Sequence, residues 1–247
     1  MATRIDILKK IDEWLQPENF QDYAPNGLQV EGSENVSVVV SGVTASQALI
    51  DEAVKQNADM ILVHHGYFWK GEDQTIRGMK KNRIKQLLDN DINLVAYHLP
   101  LDDHPEYGNN RQLANVLNIQ NATPIGGLVW QGELSEPMTP EAFGLHIARA
   151  LHRQPLHVGS GPEKIKTVAW CTGAAQGFIN AALNAGVDAY ISGEISEPTT
   201  HAARECGIHY FAAGHHATER YGVQALGEAL AREFEVKHQF IDCDNPV

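Results

Sequence analysis

The fold class that this 247-residue sequence predicts is α/β, built as two α/β units of similar topology through an internal duplication. Three observations carry it. Met60 to Val63 is an unbroken apolar run, the pattern of a strand buried on both faces of a parallel sheet. A β-branched strand at Val36 to Val40 and a helix from about Ala45 to Gln56 precede it, which makes a βαβ unit. Finally, Ala45, Gln47, Ile50, Ala53 and Asp59 recur as Ala174, Gln176, Ile179, Ala182 and Asp188 at one offset (176 − 47 = 129; 188 − 59 = 129), the mark of a repeat. The two copies are expected at residues 1–122 and 123–247, with the C-terminal elements from about residue 208 available to pack with the first.

Taken in order, Thr3 caps a helix whose apolar positions are Ile5, Leu8, Ile11 and Leu15 and which stops at Pro17. The segment Asp22 to Gly32 contains Pro25-Asn26-Gly27, a turn in which Gly27 can take positive φ; it is either a loop close to a site or an ordinary surface turn. After the first βαβ unit, a helix around Arg77 to Asn90, with Met79, Ile84, Leu87 and Leu88 on one stripe, leads to the strand Ile92 to Tyr97. An apolar segment at Gly127 to Trp130 and a helix after Thr139-Pro140 separate the copies. The second copy then runs through the strand Val168 to Trp170, a helix opened by Gly173-Ala174, and the strands Asp188 to Ser192 and Ile208 to Ala213. A last helix, about Glu219 to Phe234, and the strand Val236 to Ile241 complete the second α/β layer.

Composition narrows the function classes. Apolar residues make up 43% of the chain, enough for a sizeable core. The net charge of −12 opposes an electrostatic grip on nucleic acid, so nucleic acid is not an expected partner. Cys171, Cys206 and Cys243 are odd in number and widely spaced, which fits neither a disulfide framework nor a zinc ribbon and suits a reducing cytoplasm. No apolar run reaches the length of a membrane span and no export signal is read, so a cytoplasmic protein is expected.

Chemistry-bearing residues gather at strand ends, the edge where open α/β sheets bind ligands. His64 and His65 close the first-copy strand, His98 and Asp102 follow the next, and His215, His216 and Glu219 follow the corresponding strand of the second copy. His98 with Asp102 and His215 with Glu219 share a His-x-x-x-acid spacing at one offset (215 − 98 = 117; 219 − 102 = 117). The second copy has Gly193 and Glu194 where the first has His64 and His65. Imidazole and carboxylate together suit zinc, manganese, iron or nickel, whereas calcium favours oxygen donors alone. Five donors, His64, His65, Asp102, His215 and Glu219, point to a two-metal site with open positions; a water shared by two such ions would lose its proton near neutral pH and become a nucleophile. A strand cap or a polar helix cap is the plainer reading of each residue alone. Alternation along a strand sends His64 and His65 to opposite faces, so they share a site only if the backbone bends at Gly66. His98 is expected to orient a ligand from behind and His216 to be solvated.

Asp22-Tyr23-Ala24-Pro25-Asn26-Gly27-Leu28-Gln29, Val63-His64-His65-Gly66, His98-Leu99-Pro100-Leu101-Asp102 and Gly214-His215-His216-Ala217-Thr218-Glu219 together resemble the Nif-three-like dinuclear-metal proteins, also called GTP cyclohydrolase type-two homologues. The similarity spans nearly the whole chain. It implies two intertwined α/β domains with a pair of divalent metals in the cleft between them, and a toroidal homohexamer built as a trimer of dimers. It also implies that His64, His65, Asp102, His215 and Glu219 are the ligands, with Glu219 bridging. Leu99 stands where many family members have Thr or Ser. The expected function is a metal-dependent hydrolase acting on a small, nucleotide-like substrate, the alternative being a non-catalytic metal carrier or insertion factor. No P-loop and no Asn-Lys-x-Asp guanine reader is present, so a GTP cyclohydrolase activity enters through resemblance alone.

Overall fold

The computed structural model describes residues 2–247 as two compact units, each discontinuous in sequence: residues 2–107 with 222–244, and residues 108–221 with 245–247. In chain order the first stretch contains β1 (Ala2–Thr3), α1 (Arg4–Leu15), β2 (Gly27–Val30), β3 (Asn35–Val36), β4 (Val38–Thr44), α2 (Gln47–Lys55), β5 (Met60–His65), α3 (Gly78–Asp89), β6 (Asn93–Ala96) and α4 (Leu99–Asp103). The second holds α5 (Asn109–Val116), β7 (Ile119–Gly126), β8 (Val129–Met138), α6 (Pro140–Leu151), β9 (Leu156–Gly159), β10 (Ile165–Trp170), α7 (Ile179–Ala185), β11 (Ala189–Ser192), α8 (Glu197–Glu205) and β12 (His209–Ala212). Helix α9 (His215–Phe234) begins in the second unit and ends in the first, and β13 (Lys237–Phe240) follows it.

The sheet of the first unit has the order β13-β4-β5-β6-β2, parallel except for β2, which runs against β6. Its inner strands are buried on both faces as their composition requires. Met60 and Leu62 pack into one apolar cluster with Ile7, Ile11 and Val95, while Ile61 and Val63 pack into another with Leu49, Ile50 and Leu87. Each such side chain contributes roughly 1.5–3 kcal/mol by leaving water. The last strand, expected to complete the second layer, pairs in parallel with β4 and so lies in the first unit's sheet. Its edge position beside Val38–Ser41 gives its backbone groups partners that sequence order alone does not reveal.

In the second unit the order is β7-β8-β10-β11-β12-β9, with β10, β11 and β12 parallel and the flanking strands antiparallel. Val168 and Trp170 face one apolar cluster and Ala169 and Cys171 the other, the same alternation as in β5. The sequence repeat has a hydrogen-bonding counterpart. Asp59 Oδ2 accepts from the backbone N–H groups of Ser37 and Val38 at 2.8 and 3.0 Å; Asp188 Oδ2 accepts from Lys166 and Thr167, both at 2.8 Å. Donors and acceptor keep the one offset (166 − 37 = 129; 188 − 59 = 129).

Some elements shift. In α1 the buried stripe is Ile7, Ile11 and Leu15, spaced four apart, and Ile5 is half-exposed on another side of the helix. In α3 only Ile84 and Leu87 are buried; Met79 and Leu88 face outward, since neighbours such as Leu87 and Leu88 are about 100° apart around the axis. Gly173-Ala174 leads into a short 3-10 turn (Gln176–Phe178) before α7 rather than directly into a helix. α9 starts at His215, a turn earlier than expected.

Candidate metal centre

The first unit brings His64, His65 and His98 together. One ring nitrogen from each lies within 4.8 Å of the others, and the ring centroids are 4.5 to 5.7 Å apart. His64 and His65 both belong to β5, yet their rings converge. Their release from strict alternation comes at the strand end: β6 stops pairing at Ala96 opposite Val63, while β4 still holds His65 opposite Thr44. Gly66 is required next, because a Cβ there would lie 2.1 Å from Gln29 Oε1 and 2.7 Å from Ala96 Cβ. Its φ is not positive, so the requirement is close approach rather than a left-handed bend.

Each of these histidines is held through Nδ1. His64 Nδ1 donates to the Tyr97 carbonyl at 3.0 Å, His65 Nδ1 lies 3.3 Å from Thr44 Oγ1, and His98 Nδ1 lies 2.6 Å from Asp22 Oδ1. A carbonyl or carboxylate can only accept, which fixes the Nδ1–H tautomer of neutral His64 and His98 and leaves Nε2 as the donor atom. Asp102, carried on α4, is nearly buried and brings Oδ1 within 3.5 Å of His64 Nε2.

The loop before β2 serves His98. Asp22 Oδ2 accepts from the Leu99 backbone N–H and from Asn26 Nδ2, both at 2.9 Å, and Asn26 Oδ1 accepts from the His98 backbone N–H at 2.8 Å. Burial pushes the Asp22 carboxyl upward, but the hydrogen bonds from His98 and Asn26 outweigh it and hold it at about 2. Of the two readings of Asp22 to Gly32, a site loop and a surface turn, the structure thus favours the first. Gly27, at φ +98°, ends that turn.

In the second unit, His215 and Glu219 are one turn apart at the start of α9, with His215 Nε2 and Glu219 Oε2 at 3.2 Å. Glu194 occupies the offset of His65 (194 − 65 = 129) and places Oε1 2.7 Å from His215 Nδ1. Burial lowers the His215 pKa, but the Glu219 and Glu194 carboxylates outweigh it and push it up to about 9. Two glycines make room for the pair. At Gly173 (φ +67°) a Cβ would sit 2.0 Å from Glu219 Oε1, and at Gly193 it would sit 2.6 Å from His215 Cα. His216 is buried rather than solvated, and its backbone N–H donates to the Val247 carbonyl.

These donors fit divalent first-row cations: imidazoles fixed through Nδ1 beside nearly buried carboxylates, and no thiolate among them. Sequence reasoning singled out His64, His65, Asp102, His215 and Glu219 as candidate ligands; it did not single out Asp22, Asn26 and Thr44, which hydrogen-bond the histidines, and left Glu194 without a role. The signal for Asp22 and Asn26 was the polar Asp-Tyr-Ala-Pro-Asn-Gly run, and for Glu194 the repeat offset.

Residues 2–246 match the Duf34/NIF3 (NGG1p interacting factor 3) family. The chain belongs to this family. A Pseudomonas aeruginosa member named "GTP cyclohydrolase 1 type 2 homolog" is 56% identical over 245 residues, covering 97% of each chain, and one of the same name from Escherichia coli K12 is 56% identical over 242 residues, covering 98% of each. Among solved structures, the "protein ybgI, unknown function" aligns with TM-score 0.97 at 54% identity over the whole of both chains. TTHA1606 from Thermus thermophilus aligns with TM-score 0.93 at 32% identity, again over both entire chains. Family membership and the mixed α/β fold agree with the sequence reading; candidate metal ligands are part of both.

Proposed function

We propose that this DUF34/NIF3 protein holds up to two divalent cations through His64, His65, Asp102, His215 and Glu219 and hydrolyses a small, nucleotide-like substrate. The observation that supports this most is the fixed geometry of the donors: each histidine of the set is anchored through Nδ1, by Tyr97, Thr44 or Glu194. Structural histidines have no need of such uniform presentation, whereas metal ligands are oriented in this way. Divalent cations supply Lewis acidity and lower the pKa of water, which is the chemistry hydrolysis needs.

The chain's own contribution is positional. Tyr97 and Thr44 orient the two histidines of β5, α4 carries Asp102 to His64, Gly173 lets the carboxylate of Glu219 sit close to the β10–α7 turn, and Gly193 lets the backbone of His215 sit close to the β11–α8 turn. The hydrolase reading also draws on the name carried by the relatives, "GTP cyclohydrolase 1 type 2 homolog". A cytoplasmic homohexamer, a trimer of dimers, completes the proposal; no helix among the described residues is long and apolar enough to cross a membrane.

The test is a panel of nucleotides incubated with metal-loaded and chelated protein. Turnover that appears with metal and disappears on chelation supports the hydrolase. Metal passed to an apo-acceptor, with no turnover of any nucleotide, would replace it with the carrier reading.

A further inference from the structure

A cavity of about 520 Å³ opens to solvent where the end of α1 meets α4, wholly within the first unit. Trp14, Gln16 and Phe20 line it from α1 and the segment after it, and Pro100, Asp103 and His104 from α4 and its last turn. Its size, with aromatic rings and a few polar groups in the wall, is that of a small-molecule site. Three of the polar groups are donors. His104 Nδ1 accepts from the backbone N–H groups of Glu106 and Tyr107 at 3.2 and 2.9 Å, which puts the proton of the neutral ring on Nε2. This is the reverse of His64 and His98. Burial, opposed by the Glu106 carboxylate, holds the His104 pKa below the ordinary histidine value, and the ring stacks on Tyr107 with centroids 4.9 Å apart. Gln16 Oε1 accepts from Asn19 Nδ2 at 3.0 Å, which leaves Gln16 Nε2 as a donor. Among the described residues, none of Gln16 Nε2, His104 Nε2 and the Trp14 indole N–H has a hydrogen-bond partner. The described lining includes no lysine or arginine, and Asp103 gives it an acidic edge. Lys10, whose Nζ lies 5.9 Å from the Trp14 ring centroid, is paired with Glu13 at 2.8 Å.

We propose that this cavity is a second binding site, for an uncharged planar heterocycle rich in hydrogen-bond acceptors: a nucleobase or its nucleoside. Trp14 and Phe20 offer aromatic surface to a flat ring. The N–H groups of Trp14, Gln16 and His104 suit carbonyl and ring-nitrogen acceptors, and the Asp103 carboxylate suits a ring N–H. That carboxylate, with no cation beside it in the lining, repels a phosphate. Binding here needs no metal, so the inference goes beyond the hydrolase reading and does not depend on it.

Inosine is the probe, and its binding to the full chain, stripped of metal with chelator, is read by equilibrium dialysis. Saturable binding of one inosine per chain is expected. Trp14→Phe keeps an aromatic ring and removes the indole N–H; Gln16→Glu keeps the acceptor for Asn19 and removes the donor. Each is expected to weaken binding about 2- to 10-fold, the effect of one neutral hydrogen bond. Gln16 is exposed, so if Trp14→Phe melts far below the wild type, Gln16→Glu decides. A loss of affinity in either folded variant upholds the proposal. Inosine monophosphate should bind less tightly than inosine. The absence of saturable binding, unchanged affinity in both variants, or tighter binding of the monophosphate would each overturn the proposal while leaving the metal reading in place. Inosine bound only after metal is restored would also overturn it, by placing the nucleoside at the metal centre.

Discussion

Glu219 and His216 set a proposed ligand beside a bystander within one turn of helix. Glu219 is 3% exposed and meets His215 Nε2, whereas His216 lies about 100° around the helix axis from His215. Glu219→Gln is therefore expected to lower metal content steeply and His216→Ala to leave it nearly unchanged, as measured by metal per chain at one ionic strength. Equal losses would mean that the wrong histidine was chosen; no loss in either would make Glu219 structural. A second residue-scale prediction concerns Gly173. Alanine there meets Glu219 Oε1 and a left-handed backbone that costs a non-glycine residue roughly 1–2 kcal/mol. Gly173→Ala should lower both the melting temperature of metal-free protein and the metal content; unchanged values in both would remove the argument for close approach. At this scale the candidate donors were legible because histidines at the ends of apolar runs stand out. Their supports were not, since Asp22 reaches His98 across 76 residues of sequence and no local period records such a pairing.

The strands and helices were read with most success where burial is two-sided. Met60 to Val63 could hardly be anything else, and Val168 to Trp170 repeats it. Periodicity failed where several apolar residues competed for one face: Ile7, at i and i+4 with Ile11 and Leu15, packs against Met60 and Leu62 while Ile5 stays half-exposed. β13, read with the second layer while packing with the first unit was left open, pairs with β4; strand order in a sheet is not sequence order, and an edge strand carries no label of its partner. The paired carboxylates Asp59 and Asp188 yield an element-scale prediction. Each gathers two backbone N–H groups where a strand begins, so Asp59→Ala and Asp188→Ala should each cost about 2 kcal/mol or more in urea unfolding, with metal content unaffected in folded protein. A negligible cost at one site and a large cost at the other would count against the two being counterparts.

For the molecule as a whole, assembly was the least legible property, because periodicity contains no term for contacts between copies. Three apolar residues follow β5, Tyr67, Phe68 and Trp69, and they serve an interface only where they are exposed. Tyr67 is in fact buried, its hydroxyl donating to the Ala45 carbonyl, and the Trp69 indole donates to the Gly66 carbonyl; Phe68 and Tyr23 remain exposed. The proposed hexamer would have a mass near 163 kDa (6 × 27.2 kDa) by light scattering at micromolar concentration. A particle of 27.2 kDa would reject it. The central claim is that this chain is a metal protein, and elemental analysis tests it most directly. Protein purified without chelator, then reconstituted with zinc, manganese, iron or nickel, should carry up to two divalent ions per chain. A value of zero with every one of these metals would contradict the account, whatever the fold.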